Sequence, residues 1–161
     1  MKQMSKYACV VGLKGESLMQ KFDCPNCHSA RSHIVQRQET MRIKDMDVDV
    51  KVKVAVCDKC GAEVFDPVLE EQNMCRAYNQ YRRENGLLMP EEIKAIRKQY
   101  ELNPATFSFL LGLDDDAISR FENGSLQSAA EDNLIRLSQD HGSFVELASF
   151  CKMRHQKRRV S

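Results

Sequence analysis

The chain has no tryptophan, only four prolines and seven glycines, and no apolar run long enough to cross a bilayer. The last absence excludes a helical membrane protein, and no internal repeat or low-complexity tract appears. Charge of one sign is lacking too: 24 basic side chains stand against 23 acidic ones in 161 residues, a length that suits one or two small soluble domains. Residues 8–11 form an apolar run too short for the core of a secretory signal. Seven cysteines, an odd count, argue against a disulfide framework. The expectation is a reducing, cytoplasmic setting.

What is present begins with two pairs, Cys24-Pro25-Asn26-Cys27 and Cys57-Asp58-Lys59-Cys60. A two-residue spacer lets one tight turn aim both sulfurs at the same ion, and two such turns supply four thiolates, a closed tetrahedral shell for one structural zinc. Pro25 presets φ for the first turn, and Gly61 tolerates the backbone after the second. Iron of rubredoxin type uses the same pairs, although zinc is the commoner occupant of four-sulfur sites. His28 and His33 are the rival ligands, each able to replace a cysteine. Thioredoxin-like redox chemistry lacks the βαβ setting it needs. Cys9, Cys75 and Cys151 are left as spare thiols, the last two in helical patterns where packing is the ordinary role.

The segment between the pairs must be structured on its own. Val48, Val50, Val52, Val54 and Val56 alternate with Asp47, Asp49, Lys51, Lys53 and Ala55, a period of two that specifies a half-buried strand. Residues 34–43 read as a weaker strand and 63–65 as a short third one, giving a zinc-stapled antiparallel sheet. The valine face is expected to pack on Phe22, Phe65 and the next helix; an incompletely covered face receiving a partner strand is the other reading. Asp66-Pro67 reads as an N-cap and first position, with Met74, Tyr78 and Tyr81 as an apolar stripe, and Asn85-Gly86 as the stop.

A second pattern follows. Asn103 and Pro104 start a helix, small Ser108 permits close approach, Gly112 turns the chain, Asp114 caps the next helix and Gly124 ends it. The spacing predicts helix, turn, helix, with Ile93, Ile96, Phe107, Leu111, Ile118, Phe121, Leu134 and Leu137 as the core of five helices, the last carrying Phe144, Leu147, Ala148 and Cys151 on one face. The predicted class is therefore α+β, with an extension over residues 1–18, a zinc-binding β domain over 19–86, a helical domain over 87–152 and a basic tail over 153–161. Residues 91–140 carry five basic and ten acidic groups, whereas 152–159 carry five basic groups and no acid. No nucleophile has a recognisable base partner, and a closed shell leaves no position for water, so an enzyme is not expected.

Residues 93–137, with the ending Ile118-Ser119-Arg120-Phe121-Glu122-Asn123-Gly124, resemble the Xre/Cro-type helix-turn-helix. Preceded by the two cysteine pairs, the stretch from about residue 21 to 137 resembles the MqsA-type antitoxins, which join a YgiT-type zinc finger to that helical domain. The resemblance implies a bacterial, phage or plasmid-encoded antitoxin that binds a cognate toxin through the zinc domain. It also implies a homodimer through the C-terminal domain that represses its own operon on double-stranded operator DNA. Base-reading positions fall on Asp115, Asp116 and Arg120, and phosphate contacts on Asn123 and Gly124. Arg97 and Glu122 fall on a structural ion pair.

Departures from the family are Asp116, where Asn or another polar residue is common, and Pro104, where Gln is common. Asp115 and Asp116 have a second reading as helix-start acids, and Asp114 is read that way first. Phe109 stands where a charged residue is usual, as a dimer contact or an ordinary surface aromatic. A zinc-containing helix-turn-helix regulator without a toxin shares every motif. An interaction module that has lost DNA binding is suggested by the three adjacent carboxylates.

Overall fold

The computed structural model of the chain describes residues 23–159, with side chains as far as Met153. Residues 1–18, Met19 and Phe22 fall outside the described residues, and so does Cys9. The architecture is α+β: a three-stranded antiparallel sheet, then helices, divided into two compact units between Glu84 and Asn85.

In the first unit, strands β1 (Ser32–Ile43) and β2 (Met46–Cys57) pair along their full length, from Ser32 opposite Cys57 to Ile43 opposite Met46. Their two-residue turn places Lys44 at φ 53. The short β3 (Glu63–Val64) is the strand on the other side of β2 among the described residues, and it pairs with Ala55 and Val56. Helix α1 (Pro67–Glu84) packs along β2. Its start is set by Asp66, whose Oδ1 accepts from the amides of Val68 at 2.8 Å and Leu69 at 3.2 Å, and Gly86 at φ 63 follows its end.

Two sequence expectations shift here. The buried stripe of α1 is Leu69, Asn73, Ala77 and Tyr81, not Met74 and Tyr78, which are half-buried. Asn73 explains the shift: its Oδ1 accepts from the Lys53 amide at 2.9 Å and its Nδ2 donates to the Lys53 carbonyl at 2.8 Å. One side chain thus satisfies both backbone groups of Lys53 in β2, and such a polar contact is invisible to an apolar count. The valine face also changes phase. Val48, Val50 and Val52 are buried, each worth about 2 kcal/mol against exposure, but beyond Lys53 the buried residues are Ala55 and Cys57. Phe65, expected in the core, is 69% exposed.

The second unit contains α2 (Pro90–Lys98), α3 (Pro104–Leu111), α4 (Ala117–Glu122), α5 (Ala129–Leu137) and α6 (His141–Arg159). Leu88, Ile93, Ile96, Phe107, Leu111, Ala117, Ile118, Phe121, Ile135 and Phe144 form one core. Tyr100 stacks on Phe144 with ring centroids 4.0 Å apart. On α5 the buried apolar residue is Ile135, whereas Leu137 is 52% exposed and Leu134 half-buried, so the inward stripe is rotated from the expected one. The cause is polar again. Asp132, buried on the same helix, accepts from the Leu88 amide at 2.8 Å and from Gln127 Nε2 at 3.1 Å through Oδ1, and from Arg136 Nε at 2.6 Å through Oδ2. This network, completed by Gln127 Nε2 donating to the Leu88 carbonyl at 2.7 Å, fixes the approach to α2.

Cys151 on α6 is buried, its thiol donating to the Phe109 carbonyl at 2.7 Å, and Phe109 itself is half-buried. Cys75 on α1 is disulfide-bonded, so the expectation of a packed thiol fails there.

Candidate functional site

The two cysteine turns close in the same way. The amide of Cys24 donates to the Ser29 carbonyl at 2.9 Å while the Cys24 carbonyl accepts from His28 at 2.9 Å; the amide of Cys57 donates to Ala62 at 2.9 Å while its carbonyl accepts from Gly61 at 3.0 Å. Each closure needs a left-handed residue four positions after its first cysteine, and these are His28 at φ 54 and Gly61 at φ 70. His28 therefore serves the turn. His33, the other rival ligand, places Nδ1 2.6 Å from Asp58 Oδ1. Neither joins the cluster, which among the described residues is Cys24, Cys27, Cys57 and Cys60.

The four Sγ atoms lie within 4.8 Å of one another, with Cys24–Cys60 and Cys27–Cys57 both at 3.5 Å. Sulfurs at Zn–S distances of about 2.3 Å on a tetrahedron stand roughly 3.8 Å apart, so the cluster already has the size of a zinc shell. Its electrostatics ask for a cation. Amide donors from Cys60 and Lys59 lower Cys57 to about 6, and the Ala62 amide lowers Cys60. Cys27 goes the other way: the Ser29 amide, the largest single influence, lowers it, but burial and the sulfurs of Cys60, Cys57 and Cys24 together push it up to about 12. Adjacent thiolates repel one another, and a divalent ion removes that conflict. The donor set is positioned for a single metal ion and fits a structural zinc.

Below this centre lies a shallow cavity of about 220 Å³ lined by Val54, Ala55, Val64, Phe65 and Leu69, with Glu63, Asp66 and Glu70 around it. Ile34 opposite Ala55, Phe65 and Val68 are 60, 69 and 55% exposed.

In the helical unit, Asn103 caps α3 by accepting from the Thr106 amide at 2.8 Å, and Gly112 turns the chain at φ 71. Asp114 does not cap α4 with its carboxylate. The turn continues through Asp115 and Asp116, and the first-turn amide of Ile118 is taken by buried Ser108 Oγ at 3.1 Å. Asp115, Asp116, Arg120 and Asn123 are exposed, whereas Gly124 is buried at φ 101 with its amide on the Phe121 carbonyl at 3.1 Å. Arg120 Nε lies 3.3 Å from Asp116 Oδ1, and its Nη2 lies 3.8 Å from Asp114 Oδ2. Arg97 Nε and Nη2 donate to Glu122 at 2.6 and 2.9 Å, and Nη1 donates to the Leu102 carbonyl at 2.5 Å. Glu122 holds the Arg97 guanidinium above its ordinary value. The basic stretch 152–159 lies within the span of α6.

Residues 22–147 match the family described as the antitoxin component of bacterial toxin-antitoxin systems, MqsA. The chain belongs to the MqsA antitoxin family. Comparison with curated proteins gives no match. The family match takes in the metal centre, the sheet, α1 to α5 and the first part of α6; the remainder of that helix lies beyond it. No described helix is long and apolar enough to cross a membrane. The polar contacts of Asn73, Asp132 and Gln127 are the site-shaping features that the sequence reading missed. The Asp116–Arg120 pairing was announced by its i, i+4 spacing, although the two residues were weighed separately.

Proposed function

We propose that this antitoxin neutralises a cognate toxin by direct binding through its zinc-centred unit, and represses its own operon as a homodimer whose helical unit binds operator DNA. The observation that carries the toxin half is the cavity lined by Val54, Ala55, Val64, Phe65 and Leu69, with Phe65 standing exposed at it. Apolar side chains lining an open cavity beside the sheet suit a partner with an apolar side chain to insert; of the acids around it, Glu63 is held by Arg37 and Asp66 caps α1. The metal's part is structural: a shell of four sulfurs holds the two turns together and offers no open position for chemistry on a substrate.

For the DNA half, the support is the α3–turn–α4 unit, in which Asp115, Asp116, Arg120 and Asn123 are each exposed, with Arg97 and Glu122 tying α2 to the end of α4. Arg120 is the side chain suited to guanine, and Asn123 the one suited to phosphate. A second reading has a specific observation behind it. The carboxylates of Asp114, Asp115 and Asp116 are all exposed and repel a polyanion, as expected of a module that acts through protein contacts alone.

Co-expression with the product of the adjacent gene tests the toxin half. Phe65→Asp in the full chain should abolish rescue from the toxin while leaving metal content at one ion per chain; rescue undiminished by this change places the toxin elsewhere. Binding of the intact dimer to duplex DNA from upstream of its own reading frame tests the other half, and no affinity at low salt favours the protein-contact module.

A further inference from the structure

We propose that Asp116, supported by Asp114, is a positioning residue: it orients the Arg120 guanidinium so that its outer edge is presented to a guanine, and does not itself read a base. This inference rests on the DNA-binding reading above and specifies how that surface would work.

A guanidinium has two edges able to make paired hydrogen bonds, one formed by Nε and Nη2 and the other by Nη1 and Nη2. In Arg120 the first edge is turned toward carboxylates, with Nε 3.3 Å from Asp116 Oδ1 and Nη2 3.8 Å from Asp114 Oδ2. No described residue engages Nη1. The free edge is therefore the one at the tip of the side chain, the geometry in which arginine meets O6 and N7 of guanine end-on.

The other roles open to Asp116 fit the structure less well. It stands at the N-cap position of α4 yet makes no side-chain cap bond, and the amide of Ile118 already has Ser108 Oγ. As a cytosine reader it would have to leave Arg120, the only cation that it meets among the described residues, and approach DNA as a bare carboxylate. Kept on Arg120, the same carboxylate is neutralised where it sits, and the four-residue spacing on one helical face holds the pair together. Exposure is the reason the effect belongs to recognition rather than folding. Arg120 and Asp116 side chains are 49 and 69% exposed, so the pair adds little stability in water, but it strengthens when DNA excludes that water. It also removes part of the rotamer freedom that a long side chain would otherwise lose on binding.

The test uses the full-length, metal-loaded protein, duplex DNA from immediately upstream of its own reading frame, the same duplex with single guanines replaced, and an unrelated duplex. Arg120→Ala identifies the guanine read, as the position whose replacement no longer matters. Asp116→Ala is expected to reduce discrimination at that same position by about tenfold while leaving affinity for the unrelated duplex unchanged or higher, because a charge beside the phosphates is gone. Asp116→Asn should recover part of the discrimination, since its amide oxygen still accepts from Nε. Unaltered discrimination in Asp116→Ala, or its loss at a different base pair from the one assigned to Arg120, overturns the proposal while DNA binding itself stands. A wild-type protein that cannot distinguish its own duplex from the unrelated one overturns the DNA-binding reading, and this inference with it.

Discussion

Arg97 joins three parts of the helical unit with one planar group: it lies on α2, binds both oxygens of Glu122 at the end of α4, and donates to the carbonyl of Leu102 in the intervening loop. Its side chain is 10% exposed and that of Glu122 9%, so both charges have given up most of their hydration and depend on each other. Removing one partner strands the other. Glu122→Ala should cost about 3–5 kcal/mol in urea unfolding of the helical unit. Arg97→Met combined with Glu122→Leu should recover most of that loss, because the apolar pair leaves no buried charge behind. A single-variant cost below about 1 kcal/mol would mean the pair is solvated in practice. At this scale much was legible. The four cysteines follow from spacing alone, and the caps at Asp66 and Asn103 from residue type. Asp114 was misjudged because the start of α4 depends on Ser108, ten residues earlier in the chain than the Ile118 amide it accepts.

At the scale of elements, β2 depends on a side chain as well as on strands. Among the described residues β3 pairs with Ala55 and Val56, and backbone groups of a strand left unpaired are costly. Asn73 of α1 deals with this at Lys53 by satisfying its amide and its carbonyl together. Asn73→Leu should preserve helix propensity but leave two backbone groups unpaired, at about 1–3 kcal/mol each. Hydrogen exchange at the Lys53 amide provides the check, with protection expected to fall well below that of neighbouring β2 amides. Protection equal to theirs would show that the bond contributes nothing. The strand and helix periods themselves were readable in the sequence, from the valine alternation and from Ile93, Ile96, Phe107 and Ile118. The faces were less so. On both α1 and α5 a buried polar residue, Asn73 or Asp132, occupies the inward stripe, and a reading that counts only apolar residues rotates the helix to avoid it.

Across the whole molecule, the metal and the helical core are separate sources of order. None of the four cysteines contributes to the core built on Ile93, Phe107 and Ile118. Chelation should therefore unfold the β1–β3 sheet while α2–α6 keep their cooperative transition, which near- and far-ultraviolet dichroism can follow separately. Acid should act through the same centre. The amides of Cys60 and Lys59 hold Cys57 down at about 6 in the folded turn, so it is the sulfur that offers a thiolate to the metal most readily and gives it up as pH falls through 6. Cys27, raised to about 12, keeps its proton at neutral pH and must release it for the metal to bind. Apparent zinc affinity should accordingly rise with pH across the neutral range, by about one decade per unit for each proton displaced, and fall more steeply below pH 6 as Cys57 takes up its proton too. Competition with a chromophoric chelator at several pH values measures this slope. A flat profile from pH 6 to 8 would mean that Cys27 holds no proton for the ion to displace.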